Sequence, residues 1–332
     1  MKKLIALSLV LLLSFSAFAG GAKEEGGEDS YLIGVSKLMS HAALDAVEEG
    51  MQDYLATTGL SVRYDFQNAN GDISTSATIA QLFKDEGIDV AVGIATPTAQ
   101  ALTNVFTDVP IVFAAVTDPV DAGLVPSLEG SEDTNVCGVS DLSPVESQIK
   151  LLMDITGAKV IGNIYASGEA NGVALRNMAE EAVEKLGGTF VDAAITNSSE
   201  VMMAAQSIID RVDAIYIATD NAVISALSAV DQVCSQAGKP LFSADPSGVA
   251  GLDCLIAWGF NYYSIGEATG KAIEQILNGT NAGTIGTVML TDPADFELWF
   301  NLDTAKELGI EIPQEYLDMA AVIIENGETI TK

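Results

Sequence analysis

Short apolar, β-branched runs alternate along the chain with stretches whose apolar positions return every three to four residues. Leu32-Ile33-Gly34-Val35 opens the series, and a helix follows over about 42–56, with Ala43, Val47, Met51 and Tyr54-Leu55 on one face. Strands are then predicted at 60–66, 90–92, 110–115 and 136–139. A helix falls at 74–83, and another begins at Thr96-Pro97, where a hydroxyl residue before proline marks a helix start. The alternation begins again with strands at 160–165, 189–193, 214–218, 240–243 and 255–258, and helices centred near Met178, Gln206 and Ala229 lie between them. Strands this apolar, separated by helices, imply parallel sheets buried on both faces. The expected architecture is α/β, with two similar doubly wound lobes, a parallel sheet in each, and a ligand cleft between them.

Composition adds exclusions. A chain of 332 residues, 48% hydrophobic and 18% charged, is long enough for two lobes and too apolar to be disordered. Lys+Arg 15 against Asp+Glu 46 gives a net charge of −31, which repels phosphate backbones and makes nucleic acid an unsuitable partner. One histidine and three scattered cysteines offer no zinc site of usual spacing, so no metal is expected. Cys137, Cys234 and Cys254 sit in apolar contexts and read either as buried thiols or, for the last two, as a disulfide. The N-terminus is Met1-Lys2-Lys3, an apolar run from Leu4 to Phe18, and Ala17-Phe18-Ala19. That run is short of the roughly 18–20 residues that span a bilayer, so residues 1–19 read as a secretory signal peptide cleaved before Gly20. Residues 20–30 read as a flexible leader, and no lipid-bearing cysteine follows the cleavage point. The expected location is outside the cytoplasmic membrane, in a periplasm.

In open parallel sheets ligands sit beyond the carboxyl ends of the strands, and here those ends share a character. They read Ser36-Lys37-Leu38-Met39-Ser40-His41, Ala95-Thr96-Pro97-Thr98, Val116-Thr117-Asp118-Pro119 and Ser140-Asp141-Leu142-Ser143 in the first half. In the second half they read Ser167-Gly168-Glu169-Ala170-Asn171, Thr219-Asp220-Asn221 and Ala244-Asp245-Pro246-Ser247. Helix capping accounts for part of this, since Ser, Thr, Asp and Asn favour helix starts. Convergence of seven such ends on one cleft goes further: it suits a guest with a cationic group, while helix N-termini can hold a carboxylate, so a zwitterion matches both. Lys37 is the only Lys or Arg among these ends. No G-x-S-x-G elbow and no G-x-G-x-x-G after a strand occur, so no cofactor is expected. Asn68-Ala69-Asn70-Gly71-Asp72 reads as a turn, Gly266 to Lys271 as a helix interior, and His41 as a cap or a ligand-lining residue.

The segments Ser40-His41-Ala42-Ala43-Leu44-Asp45, Ala95-Thr96-Pro97-Thr98-Ala99-Gln100, Val116-Thr117-Asp118-Pro119-Val120, Gly138-Val139-Ser140-Asp141-Leu142-Ser143-Pro144-Val145-Glu146, Ser167-Gly168-Glu169-Ala170-Asn171 and Thr219-Asp220-Asn221 together resemble the ABC-transporter substrate-binding proteins that include tryptophan- and tyrosine-binding members. The resemblance covers about 31–325 and implies a type I periplasmic-binding fold whose chain crosses between lobes three times. It places lobe 1 at 31–143 plus about 262–291, and lobe 2 at 144–261 plus about 292–332. It implies a monomeric, non-enzymatic carrier that binds a small amino acid, aromatic or otherwise apolar, and delivers it to an ABC permease in the inner membrane. The positions it carries over are Ser40, His41, Thr96, Thr117, Asp118 and Asp141 from one lobe and Asn171, Thr219, Asn221 and Asp245 from the other. Asp118 or Asp245 would meet the ligand ammonium, because a buried ammonium needs a paired carboxylate. Two alternatives stay open: a ligand sensor working through a membrane receptor, and an exported hydrolase using His41 with a nearby serine.

Overall fold

A computed structural model describes residues 30–332; the expected signal peptide and all but the last residue of the expected leader lie outside them. The strands are β1 (Tyr31–Lys37), β2 (Val62–Asn68), β3 (Val90–Ile94), β4 (Ile111–Ala114), β5 (Val136–Ser140), β6 (Val160–Ala166), β7 (Thr189–Ile195), β8 (Ala214–Ile217), β9 (Leu241–Ser243), β10 (Ile256–Phe260), β11 (Thr287–Met289), β12 (Phe296–Asn301), β13 (Val322–Glu325) and β14 (Glu328–Thr331). The first ten match the runs read from the sequence. The last four do not appear among them, being short, partly polar, or at a sheet edge.

These strands form two sheets. One has the order β11-β5-β4-β3-β1-β2 and is parallel throughout. The other has the order β14-β13-β12-β10-β9-β8-β6-β7, with antiparallel pairings where β10 meets β12 and β13 meets β14. The second sheet thus departs from the all-parallel expectation: β12 and β14 each enter beside a strand running the other way. Among the described residues the chain passes between the sheets three times, after β5, after β10 and after β11.

Local chemistry sets the element ends. Asp72 caps the helix Ile73–Glu86 by accepting from Ser74 N at 2.8 Å, and Gly87 closes it at φ 70°. Asn70 at φ 52° and Gly71 at φ 79° make the Asn68 to Asp72 segment the expected turn. The helix Tyr262–Leu277 contains Gly266 and Gly270, and its partner Ala42–Thr57 contains Gly50. A Cβ at Gly266 would stand 2.3 Å from the Val47 carbonyl oxygen, and one at Gly50 would stand 2.3 Å from that of Tyr263. The glycines therefore let two helix backbones touch, which is the helix-interior role expected of Gly266 to Lys271.

All three cysteines are buried and free, so the Cys234–Cys254 bridge is not formed. Burial pushes the Cys137 and Cys234 thiols up to about 12, far from the reactive thiolate.

Candidate functional site

The carboxyl ends of β1, β4 and β5 face those of β6, β8 and β9 across an enclosed space lined by His41, Leu44, Ala115, Thr117, Asp141, Asn171, Thr219, Asn221, Ile224, Asp245 and Tyr262. The space itself is about 10 Å³, room for one water, so the two lobes are closed on each other. His41 stands at the start of the helix Ala42–Thr57, in extended backbone and without a capping bond. Its Nε2 lies 3.4 Å from Asn221 Oδ1, which makes a contact from one lobe to the other. Leu44 and Ile224 each follow their polar neighbour by three residues, the helical spacing that puts both on the cavity side.

The site is acidic. Asp141 accepts from Thr117 Oγ1 at 3.2 Å and from Tyr262 Oη at 3.0 Å, and burial pushes its carboxyl up to about 6. The Asp141–Tyr262 bond ties the residue after β5 to the first residue of the helix that follows β10, joining two of the three crossings. Asp245 is 1% exposed, and burial raises its carboxyl while the His41 charge opposes that rise. Behind the cavity, Asp220 is pushed up to about 7 by burial and by the Glu169 charge, and burial raises Glu169 as well. His41 is lowered, chiefly by burial. No Lys or Arg lines the cavity among the described residues. Lys37, the single cation at the strand ends, turns into a double ion pair with Asp45 at 2.6 Å and Glu48 at 2.9 Å.

Several polar atoms here are buried without a partner: His41 Nδ1, Asn171 Oδ1 and Thr219 Oγ1. Buried polar groups are ordinarily satisfied, so these are free to meet a guest. Ala95 at φ 82° and Ala115 at φ 53° end β3 and β4 in left-handed backbone, a strain of about 1–3 kcal/mol each that surrounding structure sustains at the cleft.

Seven of the ten residues carried over from the sequence meet at this cavity: His41, Thr117, Asp141, Asn171, Thr219, Asn221 and Asp245. Ser40, Thr96 and Asp118 do not line it. Ser40 is exposed and accepts from Asn68 Nδ2 at 3.1 Å. Thr96 is 2% exposed at the start of its helix, with an unpartnered hydroxyl. Asp118 spends Oδ1 on the amides of Val120 and Asp121, at 3.0 and 2.9 Å, beside a separate hollow of about 200 Å³. Ala115, Leu44, Ile224 and Tyr262 complete the lining, none of them among the ten carried-over residues. For Leu44 and Ile224 the signal was available in the i, i+3 spacing from His41 and Asn221. Tyr262 reaches the cavity from the far side of a crossing, which no local pattern reports. The ring partner of His41 is Asn221 rather than a serine, threonine or cysteine, so the geometry holds no nucleophile–base pair on this histidine.

Two α/β lobes closed over polar strand ends, with three chain crossings between them, define the type I periplasmic-binding class. A leucine-binding protein from Thermotoga maritima, 16% identical with TM-score 0.60 over 91% of this chain and 97% of that one, shares the fold. The chain belongs to the ABC transporter substrate binding protein family, whose model matches residues 32–324. It is 31% identical over 326 residues to a tyrosine-binding protein of Clostridioides difficile, covering 93% of each. It is 33% identical to a Streptococcus pneumoniae ABC domain in complex with L-Trp, with TM-score 0.84 over 89% of this chain and 100% of that one. Against a ligand-free, open substrate-binding protein with adhesive properties from Clostridium difficile, 34% identical, the TM-score is 0.64 over 85% of this chain and 96% of that one.

Proposed function

We propose that this chain binds a free amino acid with an aromatic or apolar side chain between its lobes and passes it to the permease of an ABC importer, without making or breaking a bond. The observation that carries the reading is the pair of buried carboxylates, Asp141 and Asp245, in a cavity that holds no Lys or Arg. Two such groups side by side are costly without a counter-charge, and an ammonium supplies it. In this reading Asp245, with Asp141 beside it, meets the ligand ammonium. The Thr219 hydroxyl donates to the ligand carboxylate, and Leu44, Ala115 and Ile224 flank the side chain. The tyrosine-binding relative and the relative in complex with L-Trp support the ligand class. Ser40, Thr96 and Asp118 do not line the cavity and take no part in this reading.

An aromatic side chain cannot enter a space of about 10 Å³, so capture needs the lobes to part and close again. We place the hinges near residues 143, 261 and 291, which divide the chain into lobe 1 at 31–143 and 262–291 and lobe 2 at 144–261 and 292–332. The sheet membership of β5, β10, β11 and β12 supports these limits. Export through the signal peptide at 1–19 puts the protein where it meets external solute. Calorimetry of the purified protein against the twenty amino acids is the test. Binding of L-tryptophan or L-tyrosine is the expected result; no binding by any amino acid, with tight binding of a sugar or purine instead, rejects the ligand class.

A further inference from the structure

We infer that Glu169, which does not line the cavity, fixes the polarity of the site by holding the carboxamide nitrogens of Asn171 and Asn221 away from the cavity, so that these two residues turn their oxygens toward it. The inference rests on the amino-acid reading above and assigns the residue that makes the site select an ammonium.

An ionised carboxylate only accepts hydrogen bonds, so any amide group against it must present its nitrogen. Glu169 Oε2 accepts from Asn221 Nδ2 at 2.6 Å and from Asn171 Nδ2 at 3.5 Å, while Oε1 accepts from Ala222 N at 3.2 Å. Asn171 Nδ2 also reaches the Thr219 carbonyl at 3.4 Å. Both carboxamide nitrogens are thereby committed to the lobe interior, and both oxygens turn the other way. Asn171 Oδ1 is left buried without a partner at the cavity. Asn221 Oδ1 faces His41 Nε2 at 3.4 Å.

The order passes on to the histidine. Facing an acceptor, Nε2 must carry the proton, so Nδ1 carries the lone pair, and it too is buried without a partner. Together with Asp141 and Asp245, the cavity then offers carboxylate oxygens, an amide oxygen and an imidazole lone pair. An ammonium brings three N–H donors to such a set, whereas the hydroxyl of a 2-hydroxy acid brings one and leaves its lone pairs against acceptors. The burial of Glu169, 5% exposed, keeps water from competing for these bonds.

Glu169→Gln is the informative change. A glutamine amide can donate as well as accept, so both asparagines become free to reverse. Calorimetry with L-tryptophan and with its 2-hydroxy analogue, indole-3-lactate, reads the outcome. Wild type should prefer L-tryptophan strongly; in the variant its Kd for L-tryptophan should rise about tenfold or more, with indole-3-lactate changed less than about threefold, so the preference collapses. Parallel loss of both compounds, with the preference intact, would mean that Glu169 only supports the fold and overturns the inference while leaving the amino-acid reading in place. Wild type that binds no amino acid overturns both. A second readout does not depend on the variant folding. The chain has one histidine, so ring ¹⁵N spectra of the untagged protein saturated with L-tryptophan report His41 alone. The Nε2–H tautomer is expected in wild type, and an Nδ1–H tautomer there overturns the inference.

Discussion

Asp245 and Asp118 began as equal candidates for the ligand ammonium, and their surroundings separate them. Asp245 is buried at the cavity, whereas Asp118 caps a loop outside it. Asp245→Asn should weaken L-tryptophan binding by about tenfold to a hundredfold, the range of a lost charge-assisted hydrogen bond, and Asp118→Asn should change it less than about threefold. Calorimetry on the two variants checks this, and equal losses would remove Asp245 from its role. Asp141 supplies a pH dependence. Burial raises its carboxyl to about 6, so in the closed protein it holds a proton that the unfolded chain loses at lower pH. This proton uptake favours the fold at low pH, and the gain is lost as pH rises through about 6. An ammonium guest reverses the preference, since it favours the ionised form. Affinity for L-tryptophan should therefore fall as pH drops through about 6, with proton release on binding near that pH. Titrations at pH 5 and 7.5 in buffers of different ionisation heat measure both, and affinity that rises on acidification would contradict the assignment. The tyrosine, threonine and aspartate that act on Asp141 were all present in the sequence, but only Thr117 and Tyr262 donate to it, and no spacing rule says so.

Elements bring these residues into place through close backbone contacts. The helices Ala42–Thr57 and Tyr262–Leu277 touch where Gly50 and Gly266 lack side chains, and the first helix carries His41 and Leu44 at its start. Gly266→Ala pits two effects against each other. Alanine gains about 1 kcal/mol of helix propensity, but its methyl would stand 2.3 Å from a carbonyl oxygen that belongs to another helix backbone. The clash wins, and urea denaturation should show a loss of about 1–3 kcal/mol, with weakened ligand binding as the helix start moves. A stabilised variant would mean that the contact is looser than described. Most of the first ten strands were legible because burial on both faces leaves an unbroken apolar run, while β2 and β7, at the sheet edges and only partly buried, still carry enough apolar residues to read as strands. Strands β11 to β14 were not, since Thr287–Met289 and Glu328–Thr331 are short edges whose residues stay partly or fully exposed.

At the scale of the molecule the governing fact is that the acidic ends of two sheets come together with their only strand-end cation spent elsewhere. A cavity of about 10 Å³ has no room for an aromatic guest, so in the amino-acid reading the lobes must part to admit it. Small-angle scattering should record a smaller radius of gyration with saturating L-tryptophan than without it. An unchanged radius alongside demonstrated binding would exclude hinge closure.

The sequence by itself determined the alternation of strands and helices, the polar character of the strand ends and the abundance of carboxylates, because each is a local consequence of period, capping and composition. The tertiary structure decided which of those ends face one another. It turned Asp118 onto its own loop and Lys37 onto Asp45 and Glu48, brought Tyr262 across a chain crossing to Asp141, and set Glu169 behind two asparagines. The direction of a side chain at a strand end depends on contacts made through space by residues 100 or more positions away, as in Tyr262 to Asp141 with a separation of 121. Periodicity along the chain carries no record of such contacts.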